Sequence, residues 1–434
     1  MPDARRTTSL RDVLVGLKDG THGTHARVSP GVPLLSAKNV TEVGLVWGDD
    51  DEKISEADFR AIDRAFSVAA QDLLLTVVGS LGRRALHDGS RVAFQRSVAF
   101  LRPDRSQVTP GFLYHITGGF RFQRELARRS NATAQAGVYL GQLAGISIEV
   151  PPLPEQRQIA AILDTVDEAI RKTEQIIAKL KQVKQGLLHD ILTRGIDDNG
   201  ELRDPERYPE QFKDSPLGRV PKAWSVTNLG NEARILHGYA FEGRFFTDRP
   251  DGPLLLTPGN FNRDGGLYFT DGNAKYFLGR VPSGYTLTGG DLVTVMTDLS
   301  PKTLILGRAV VIGEGFEALH NQRIGKVVTI IESRWLTSYL CHALNADTFR
   351  RRIIREATGT TVRHTSPRRI LSSFIARPEL TEQKKACDLV FAQEMSARRE
   401  EEAVLKLRSL KSGLMDDLLT GRVRVTNILE SAAP

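Results

Sequence analysis

The sequence predicts a mixed α+β fold in which two globular domains alternate with two long coiled-coil helices. Three observations support this prediction: a heptad pattern of apolar residues, an internal repeat of most of the chain, and short strand-like and helix-like segments outside the heptads. A heptad pattern is typical of a long helix that packs against another helix. An internal repeat indicates that the same arrangement of helices and strands occurs twice. It therefore limits the possible folds before any single element is assigned.

The first long helix is predicted within residues 151–196. Its sequence has no Gly or Pro between Pro154 and Gly186, and prolines just before it suit the first turn of a helix. Alternating steps of four and three residues define a seam in which eight of ten positions are apolar. The seam is Ile159, Leu163, Val166, Ile170, Thr173, Ile177, Leu180, Lys184, Leu187 and Ile191.

The same stretch returns 227 residues later without a gap, so that the Glu-Gln dipeptide at 155–156 recurs at 382–383. A second long helix is therefore predicted within residues 377–423, with a tail at 424–434. Its seam is less apolar, and we expect this helix to pack against the first. The seam is Ala386, Val390, Gln393, Ala397, Glu400, Val404, Leu407, Lys411, Leu414 and Leu418.

Residues 1–150 and 224–376 are predicted to be the two globular domains, joined through a polar, Pro- and Gly-rich linker at 197–223. Strands are expected in the first domain because of their apolar and β-branched content. They are Gly31–Leu35, Asp72–Val78 and Val92–Leu101, the last with Gln95 and Arg96 in its middle. A helix is expected from Gly111 to Arg129, with a weak point at Gly118-Gly119.

The second domain repeats this plan more loosely. Gly307-Arg308 echoes Gly82-Arg83, and Gln322-Arg323 echoes Gln95-Arg96. The offset drifts between 219 and 227, so insertions and deletions separate the two copies of the domain. The helices match better than the domains, which suits one scaffold that carries two different binding domains.

Composition limits the classes of protein that fit. The 434 residues carry a net charge of +7, which suits a nucleic-acid partner without requiring one. Cys341 and Cys387 are the only cysteines, which excludes a disulfide framework and favours a reducing, cytoplasmic location. The first residues lack the apolar core of a signal peptide, and no run of 18 apolar residues exists, so we expect no membrane span.

Signatures of catalysis are scarce. The sequence has no GxxxxGK[ST] phosphate loop, no HExxH helix and no [DNS]PP[YF] motif of DNA amino-methyltransferases, so we expect no catalytic residues. Two weaker possibilities stay open. The segment 313–318 fits the dinucleotide pattern GxGxxA, and His22 with His25 could share a metal ion, although no metal site is predicted because a second ligand pair is missing.

Residues suited to DNA binding are more frequent. Long cationic side chains, hydroxyls and imidazoles reach phosphates and base edges, and several of them lie in Gly-rich segments. The candidates are Lys18, Thr21, His22, Thr24, His25, Arg27, Arg83, Arg84, Arg128, Arg244, Lys302, Arg308, Arg363, His364 and Arg368. Any one of them could instead be a solvated surface charge. Gln95 and Gln322 are interpreted as structural amides within strands.

Several phrases of the sequence resemble a known family. IEVPPLPEQRQIAAILD precedes and opens the first long helix, GLLHDILTRGI ends it, and GLMDDLLTGRV ends the second helix. KDGTHGTH is followed by GVPLLSAKNV in the first domain, and DSPLGRVPKAW opens the second. Together they resemble the DNA-specificity (S) subunit of type I restriction-modification systems, over nearly the whole chain.

The resemblance implies a non-catalytic subunit. Each domain would be a target-recognition domain that reads half of a bipartite, asymmetric double-stranded DNA site. The long helices would lie antiparallel about a pseudo-two-fold, set the gap between the half-sites and dock two modification (methyltransferase) subunits. Restriction/translocase subunits could join. This chain would hold no cofactor, because S-adenosylmethionine, ATP and Mg would belong to the partner subunits.

One departure from the expected repeat is visible, and two other functions stay open. The GRVPKAW phrase of the second domain has no counterpart before Thr7, so the first domain is expected to lean on the C-terminal tail. The alternatives to a specificity subunit are a fused nuclease or methyltransferase, which the missing motifs disfavour, and a coiled-coil adaptor that binds no DNA.

Overall fold

The structure, a computed structural model, describes residues 5–130 and 137–425. It divides into two compact units: unit 1 combines the residues up to Ile177 with those from Arg399 onward, and unit 2 is the continuous stretch Ala178–Arg398. Both units combine helices and strands, so the predicted mixed α+β class is confirmed. Residues 426–434, most of the predicted tail, lie outside the described residues, as do 131–136.

Unit 1 is built around a four-stranded antiparallel sheet. The strands of this unit are β1 (Arg6–Ser9), β2 (Leu14–Asp19), β3 (Val32–Leu35), β4 (Val40–Thr41), β5 (Gly44–Leu45), β6 (Lys53–Ile54), β7 (Leu73–Thr76), β8 (Arg84–Leu86), β9 (Ala93–Phe94), β10 (Val98–Pro103) and β11 (Ser147–Val150). The shorter helices are α1 (Glu56–Ala65), α2 (Pro110–Gly118), α3 (Phe120–Arg128) and α4 (Leu140–Ala144). The central sheet has the order β2-β10-β7-β8. Helix α5 (Leu153–Thr193) follows.

Unit 2 contains a second sheet of the same kind. Its strands are β12 (Phe212–Ser215), β13 (Gly218–Pro221), β14 (Ser225–Asn228), β15 (Ala233–His237), β16 (Phe246–Thr247), β17 (Leu255–Leu256), β18 (Tyr276–Phe277), β19 (Thr286–Leu287), β20 (Leu292–Val295), β21 (Thr297–Asp298), β22 (Ala309–Val311), β23 (Ala318–His320), β24 (Ile324–Thr329), β25 (Arg363–His364) and β26 (Phe374–Arg377). The helices are α6 (Thr337–Asn345), α7 (Asp347–Arg355), α8 (Pro367–Leu371) and α9 (Leu380–Thr420). The central order is β15-β24-β20-β22.

The two units repeat one topology. The order β2-β10-β7-β8 matches β15-β24-β20-β22 strand for strand. The parallel pair β3–β9 matches the parallel pair β17–β23. In each unit, the strand directly ahead of a long helix pairs with the first strand of the domain, as β11 does with β1 and β26 with β14. The duplication in the sequence is therefore a duplication of structure.

Three segments differ from the sequence interpretation. The strand expected over Val92–Leu101 is two strands, because residues 95–97 form a bend between β9 and β10. The segment 197–223, predicted as a linker, contains the hairpin of β12 and β13. The GxGxxA segment at 313–318 connects β22 to β23, so it lacks the helix that a dinucleotide site requires.

The long helices α5 and α9 each have 41 residues and span about 60 Å at ~1.5 Å per residue. Every seam position is buried or half-buried, as a heptad pattern requires. The fully buried members are Ile159, Leu163, Val166, Ile191, Ala386, Val390, Val404 and Leu418. The other apolar members, which are half-buried, are Ile170, Ile177, Leu180, Leu187, Leu407 and Leu414.

In unit 1, the first part of α5 packs antiparallel against the last part of α9. Asp167 forms an ion pair with Lys411, and Glu174 Oε1 lies 2.7 Å from Arg408 Nη2, so the chain numbers rise on one helix as they fall on the other. The apolar core of this unit then continues from the sheet through α2 and α3 into both long helices. Its helix members include Phe112, Leu126, Ile159, Leu163, Leu418 and Leu419.

In unit 2, the last part of α5 packs against the first part of α9. Lys184 Nζ lies 2.7 Å from Glu394 Oε1, and Gln393 Nε2 donates to Leu180 O at 3.3 Å. This ion pair is equivalent to the Asp167–Lys411 pair of unit 1 at the 227-residue offset. The carboxylate lies on α5 in unit 1 and on α9 in unit 2. The unit's core includes the apolar residues Ile191, Tyr339, Leu340, Ile375, Ala386 and Val390.

A buried glutamine fixes each domain to the start of its long helix. Gln156 Oε1 accepts from Thr109 N at 2.8 Å, while its Nε2 donates to Gln107 O at 2.9 Å and Pro151 O at 2.8 Å. Gln383 makes the same three bonds, all at 2.9 Å, to the residues 227 positions later: Leu336 N, Arg334 O and Pro378 O. Both side chains are fully buried, so each satisfies three backbone groups that water does not reach.

The glutamate before each glutamine is bound by a different segment in each unit. Glu155 accepts from Arg5 Nη2 at 2.6 Å and from Arg424 Nη1 at 2.9 Å. Glu382 is instead bound by Arg203, with its Nη1 at 2.6 Å and Nη2 at 3.1 Å. Arg5 also donates to Leu418 O at 2.8 Å. The edge of the first domain therefore contacts the end of α9. Its expected contact with the tail stays a prediction, because most of the tail lies outside the described residues.

Three histidines, two of them buried and one half-buried, have lowered pKa values. Burial lowers the pKa of His115, His320 and His342, although nearby carboxylates or a carbonyl oppose this effect. His115 Nε2 donates to Asp164 Oδ1 at 2.7 Å, and its Nδ1 has no partner among the described residues.

Within residues 5–130 and 137–425, no helix is long and apolar enough to cross a membrane.

We expect Gln156→Ala and Gln383→Ala each to lower the free energy of unfolding by roughly 3 kcal/mol. Each substitution leaves one N–H and two carbonyls without a partner, and an unsatisfied buried group costs ~1–3 kcal/mol. Urea unfolding measures the change. Gln158→Ala removes an exposed amide from the same helix and should stay within about 0.5 kcal/mol of the wild type. Equal losses for Gln156→Ala and Gln158→Ala would contradict the role of the buried amide.

The free energy of unfolding should fall as the pH falls from 7.5 to 5.5. His115, His320 and His342 have lowered pKa values in the folded chain. The unfolded chain therefore binds more protons once the pH drops below ~6.5, and acid favours it. Urea unfolding at the two pH values gives the slope, which His115→Gln should reduce. A stability that is constant or rises on acidification would refute this account.

Candidate nucleic-acid interface

Three connections meet at one end of the central sheet in each unit, and we call this region the loop edge. In unit 1, it comprises the loop after β2 from residue 20, the β7–β8 connection at 77–83 and the bend at 95–97. Both β2 and β7 run antiparallel to β10. Their C-terminal ends therefore meet the start of β10, and the topology alone gathers distant parts of the sequence.

Backbone hydrogen bonds fix the loop edge of unit 1. The bend at 95–97 is bonded to the β2 loop on one side and to the end of β7 on the other, so its position does not depend on side chains. The bonds are Thr21 N to Phe94 O (2.8 Å), Arg96 N to Thr21 O (3.1 Å), Val98 N to Gln95 O (3.1 Å) and Val77 N to Ser97 O (2.9 Å).

The loop edge of unit 2 has the same four bonds within 0.2 Å. They are Tyr239 N to His320 O (2.7 Å), Gln322 N to Tyr239 O (3.0 Å), Ile324 N to Asn321 O (2.9 Å) and Met296 N to Arg323 O (2.9 Å). These bonds pair Arg96 with Gln322, at an offset of 226. The echo of Gln95-Arg96 in Gln322-Arg323 is thus displaced by one residue from the structural equivalence.

A glycine at each loop edge allows the backbones to approach. A Cβ at Gly20 would lie 2.3 Å from Phe94 O, and one at Gly238 would lie 2.2 Å from Asn321 O. Real Cβ atoms do not approach backbone oxygens so closely, so only glycine fits without a shift of the chain. The two glycines hold equivalent places, which shows that this close approach belongs to the shared backbone plan.

Three predicted DNA-binding residues of the β2 loop have carboxylate partners. His22 Nε2 lies 2.7 Å from Asp19 Oδ2, and Arg27 Nε donates to Glu52 Oε2 at 2.8 Å. His25 lies between two groups, with Nδ1 3.1 Å from Asp58 Oδ1 and Nε2 2.8 Å from Thr21 Oγ1. The contacts fix the three side chains, and the carboxylates lie between them and an approaching phosphate, so these residues position the loop more than they attract phosphates.

The pKa of Asp58 is lowered by hydrogen bonds from Ser55 and then from His25, so this carboxylate stays ionised. The remaining candidates of this segment are Lys18 and Thr24. Lys18 Nζ donates to Ala65 O at 3.2 Å, and Thr24 is exposed. Thr21 and His25 therefore form one linked group, whereas Thr24 stands apart from it.

The other arginines predicted in unit 1 separate into different environments. Arg83 is exposed on the β7–β8 connection and belongs to the loop edge. Arg84 Nε donates to Tyr114 O at 2.8 Å, and its guanidinium lies 4.7 Å from the centre of the Tyr114 ring, so it is engaged inside the domain. Arg128 is exposed at the end of α3 and pairs with Glu125 at 2.9 Å.

In unit 2, the β15 loop and the β20–β22 connection carry three candidates. Arg244 is exposed and pairs with Glu242 at 2.8 Å. Lys302 is exposed on a turn held by buried Asp298, which accepts from Ser300 N at 2.8 Å. Arg308 is structurally equivalent to Arg83, but it is half-buried, it donates to Arg263 O, and burial lowers its pKa.

The remaining candidates follow helix α7. Arg363 donates through Nη1 to Gly359 O at 3.0 Å. Its neighbour His364 is exposed, and His364 Nδ1 lies 3.1 Å from Thr297 Oγ1. Strand β25 pairs with β21, so both residues join the loop edge of unit 2. Arg368 is exposed on α8. Arg363 and His364 thus pair with the β20–β22 connection that also carries Lys302.

Several residues of the loop edge were missing from the sequence-based candidates. Arg96, Tyr239, Gln322 and Arg323 are all exposed there. Gln322 was interpreted as a structural amide in a strand, but it lies in a bend, and its side chain has no hydrogen-bond partner in the described part of the chain. Gln95 does have one, since its Nε2 donates to Glu52 Oε2 at 3.2 Å. The repeat of the Gln-Arg dipeptide at 95–96 and 322–323 was the sequence signal that could have identified these residues.

The structure gives little support to a metal at His22 and His25. Each imidazole already contacts a carboxylate, and across the described ranges no group of three or more His, Cys, Asp or Glu side chains could hold a metal ion. The loop edge instead combines a rigid backbone with exposed cations and amides. Those groups can contact the phosphates and base edges of a duplex.

Gly20→Ala and Gly238→Ala should each loosen one loop edge. We expect a loss of roughly 1–3 kcal/mol in unfolding free energy, as for other overpacked sites. Hydrogen exchange should show faster exchange of the Thr21 and Arg96 amides in Gly20→Ala. Gly48→Ala is the matched control, because a Cβ there meets no atom within 4 Å. Unchanged amide protection in Gly20→Ala would show that the backbone accommodates the methyl group.

Comparisons with known proteins agree with this geometry. Residues 38–182 match the family model of the type I restriction modification DNA specificity domain. The putative type I restriction enzyme MjaX specificity subunit of Methanocaldococcus jannaschii is 25% identical over 54% of this chain and 53% of its own. The MjaVIII specificity subunit of the same organism is 25% identical over 65% and 63%. The chain thus spans between half and two thirds of these relatives.

Solved structures share the fold. The type I restriction-modification S subunit from M. genitalium aligns with a TM-score of 0.51 and 13% identity over 96% of each chain. A chain from a structure concerned with complex assembly and conformational transition of the type I R-M system aligns with a TM-score of 0.58 and 15% identity, over 96% of this chain and 98% of that one. Residues 38–182 are therefore similar to the DNA specificity domain of type I restriction-modification systems, and the chain shares its fold with the solved S subunit.

Proposed function

We propose that this chain is the non-catalytic DNA-specificity subunit of a type I restriction-modification complex. Each domain reads one half of a bipartite, asymmetric DNA site. The observation that carries the proposal is the repeated loop edge, which has one backbone frame and two different sets of side chains. Two equal domains would suit a palindrome, whereas two unequal domains on one frame suit a split site with different halves.

The charge of the loop edges supports a DNA partner. Arg83 in unit 1, and Lys302 and Arg323 in unit 2, are exposed cations whose side chains have no partner among the described residues. Unpaired cations of this kind release counterions when they contact phosphates, which drives binding that weakens as salt increases. Each unit therefore offers an electrostatic contact beside its exposed amides and hydroxyls.

The long helices support the proposed roles of spacer and dock. Each runs for 41 residues, and its seam is occupied by the other long helix within both units. Apolar side chains remain exposed outside the seam, including Phe391 at 62%, Leu405 at 66% and Leu410 at 53%. Such residues suit contacts with two modification subunits. Restriction/translocase subunits would join the assembly, and S-adenosylmethionine, ATP and Mg would act in those partners.

Methylation mapping tests the proposal. The chain is expressed with its modification subunits, and single-molecule sequencing identifies the methylated genomic motif. We expect one split motif, because the two loop edges differ. Exchanging residues 1–150 for another recognition domain should change one half of the motif only. A single uninterrupted motif, a change in both halves, or methylation by the chain without its partners would each contradict the proposed function.

A further inference from the structure

We propose that Arg96 and Gln322 are equivalent base-reading residues, the first specific for guanine and the second for adenine. This inference rests on the proposed function, and it names the chemistry that makes the two half-sites different. It depends on the observed register of the two loop edges, which the sequence echo conceals.

The two residues occupy the same place in the backbone frame. Arg96 N donates to Thr21 O at 3.1 Å, and Gln322 N donates to Tyr239 O at 3.0 Å. The residue that follows each of them accepts a bond at 2.9 Å from the end of a central strand. Their Cα atoms are therefore held by equivalent bonds on both sides. A rigid mount of this kind is what a specific contact needs.

Both side chains are also exposed and available. Neither has a hydrogen-bond or ion-pair partner among residues 5–130 and 137–425. The preceding residues differ in this respect. Gln95 donates to Glu52 at 3.2 Å, and the largely buried Asn321 accepts from Arg323 N at 2.9 Å. In each bend, the structural amide comes first and the free side chain second.

The exchange of Arg for Gln distinguishes base reading from phosphate binding. Neutral glutamine attracts phosphates far less than arginine does, so a role in anchoring the duplex would not be shared by the two copies of this position. Both side chains, however, present planar bidentate groups to base edges. Arginine pairs with O6 and N7 of guanine, and glutamine pairs with N6 and N7 of adenine. The substitution keeps the geometry and changes the preferred base.

Different contacts support the residue whose carbonyl binds each bend. In unit 1, the carbonyl that holds Arg96 belongs to Thr21, whose hydroxyl contacts His25. In unit 2, it belongs to Tyr239, whose ring packs 5.1 Å from Phe241 and 5.2 Å from Tyr285, measured between ring centres. The bends are thus supported by polar contacts in one unit and by aromatic packing in the other, with the same backbone result.

Reciprocal substitutions test the assignment in the complete complex with the modification subunits. Binding is measured against duplex libraries randomised in both half-sites. Arg96→Gln should change one position of one half-site from guanine to adenine. Gln322→Arg should change one position of the other half-site from adenine to guanine. Each change should alter the relative affinity for the two bases roughly 10- to 100-fold.

Matched substitutions control for charge and folding. Arg105→Gln, beyond the C-terminal end of β10, and Gln211→Arg before β12 make the same chemical changes at exposed sites outside the loop edges and should leave both half-sites unchanged. Arg96→Ala should lose the preference for guanine without gaining one for adenine. Thermal unfolding of each variant shows that it is folded.

The possible failures are distinguishable. If the folded variants bind all sequences more weakly with an unchanged motif, the two residues only anchor the duplex and the assignment is wrong. A change in both half-sites from one substitution would also overturn it. If the wild-type complex binds no split motif, the proposed function fails first, and the assignment fails with it.

Discussion

A fully buried glutamine amide at the start of each long helix is the contact on which the rest of the structure depends. Gln156 and Gln383 each offer one acceptor and two donors, and each meets one backbone N–H and two carbonyls. A glutamate could not donate to those carbonyls, and a leucine could satisfy none of the three groups. In unit 1, the amide thus joins residues 107–109, Pro151 and the start of α5 into one rigid junction, and Gln383 does the same in unit 2.

At the two loop edges, the backbone geometry is the same whereas the side chains differ. Gly20 and Gly238 are retained because carbonyls lie where a Cβ would be. The residues around them differ between the copies: Thr21 corresponds to Tyr239, and exposed Arg96 corresponds to exposed Gln322. Backbone bonds do not constrain the chemistry of a side chain. Two copies can therefore keep one geometry while they acquire different preferences.

The sequence predicted the helices more accurately than the sheets, for a physical reason. A heptad seam repeats over forty residues, so an error of one position would place many polar groups in the core. A strand of four residues offers no such check, and the Gln-Arg echo at 95–96 and 322–323 was misaligned by one residue. The bend at 95–97 was also hidden, since buried residues precede and follow it.

Partners of charged side chains could not be predicted from the sequence either. Arg83 and Arg84 are adjacent and chemically identical, yet one is exposed and the other contacts the Tyr114 ring. The carboxylates that engage His22, His25 and Arg27 lie at positions 19, 58 and 52, and most become neighbours only when the sheet forms. The sequence therefore named candidate residues, but the distinction between free and engaged side chains required the structure.

The composition of unit 1 bears on the order in which the chain folds during synthesis. Unit 2 is one continuous stretch, and its core can close as soon as Arg398 has left the ribosome. The core of unit 1 includes Leu418, Leu419 and Val425, and Glu155 is bound by Arg424. The N-terminal part of unit 1 is synthesised first, but its apolar core is complete only when the end of α9 has been synthesised. Part of that core therefore has no packing partner while unit 2 is translated.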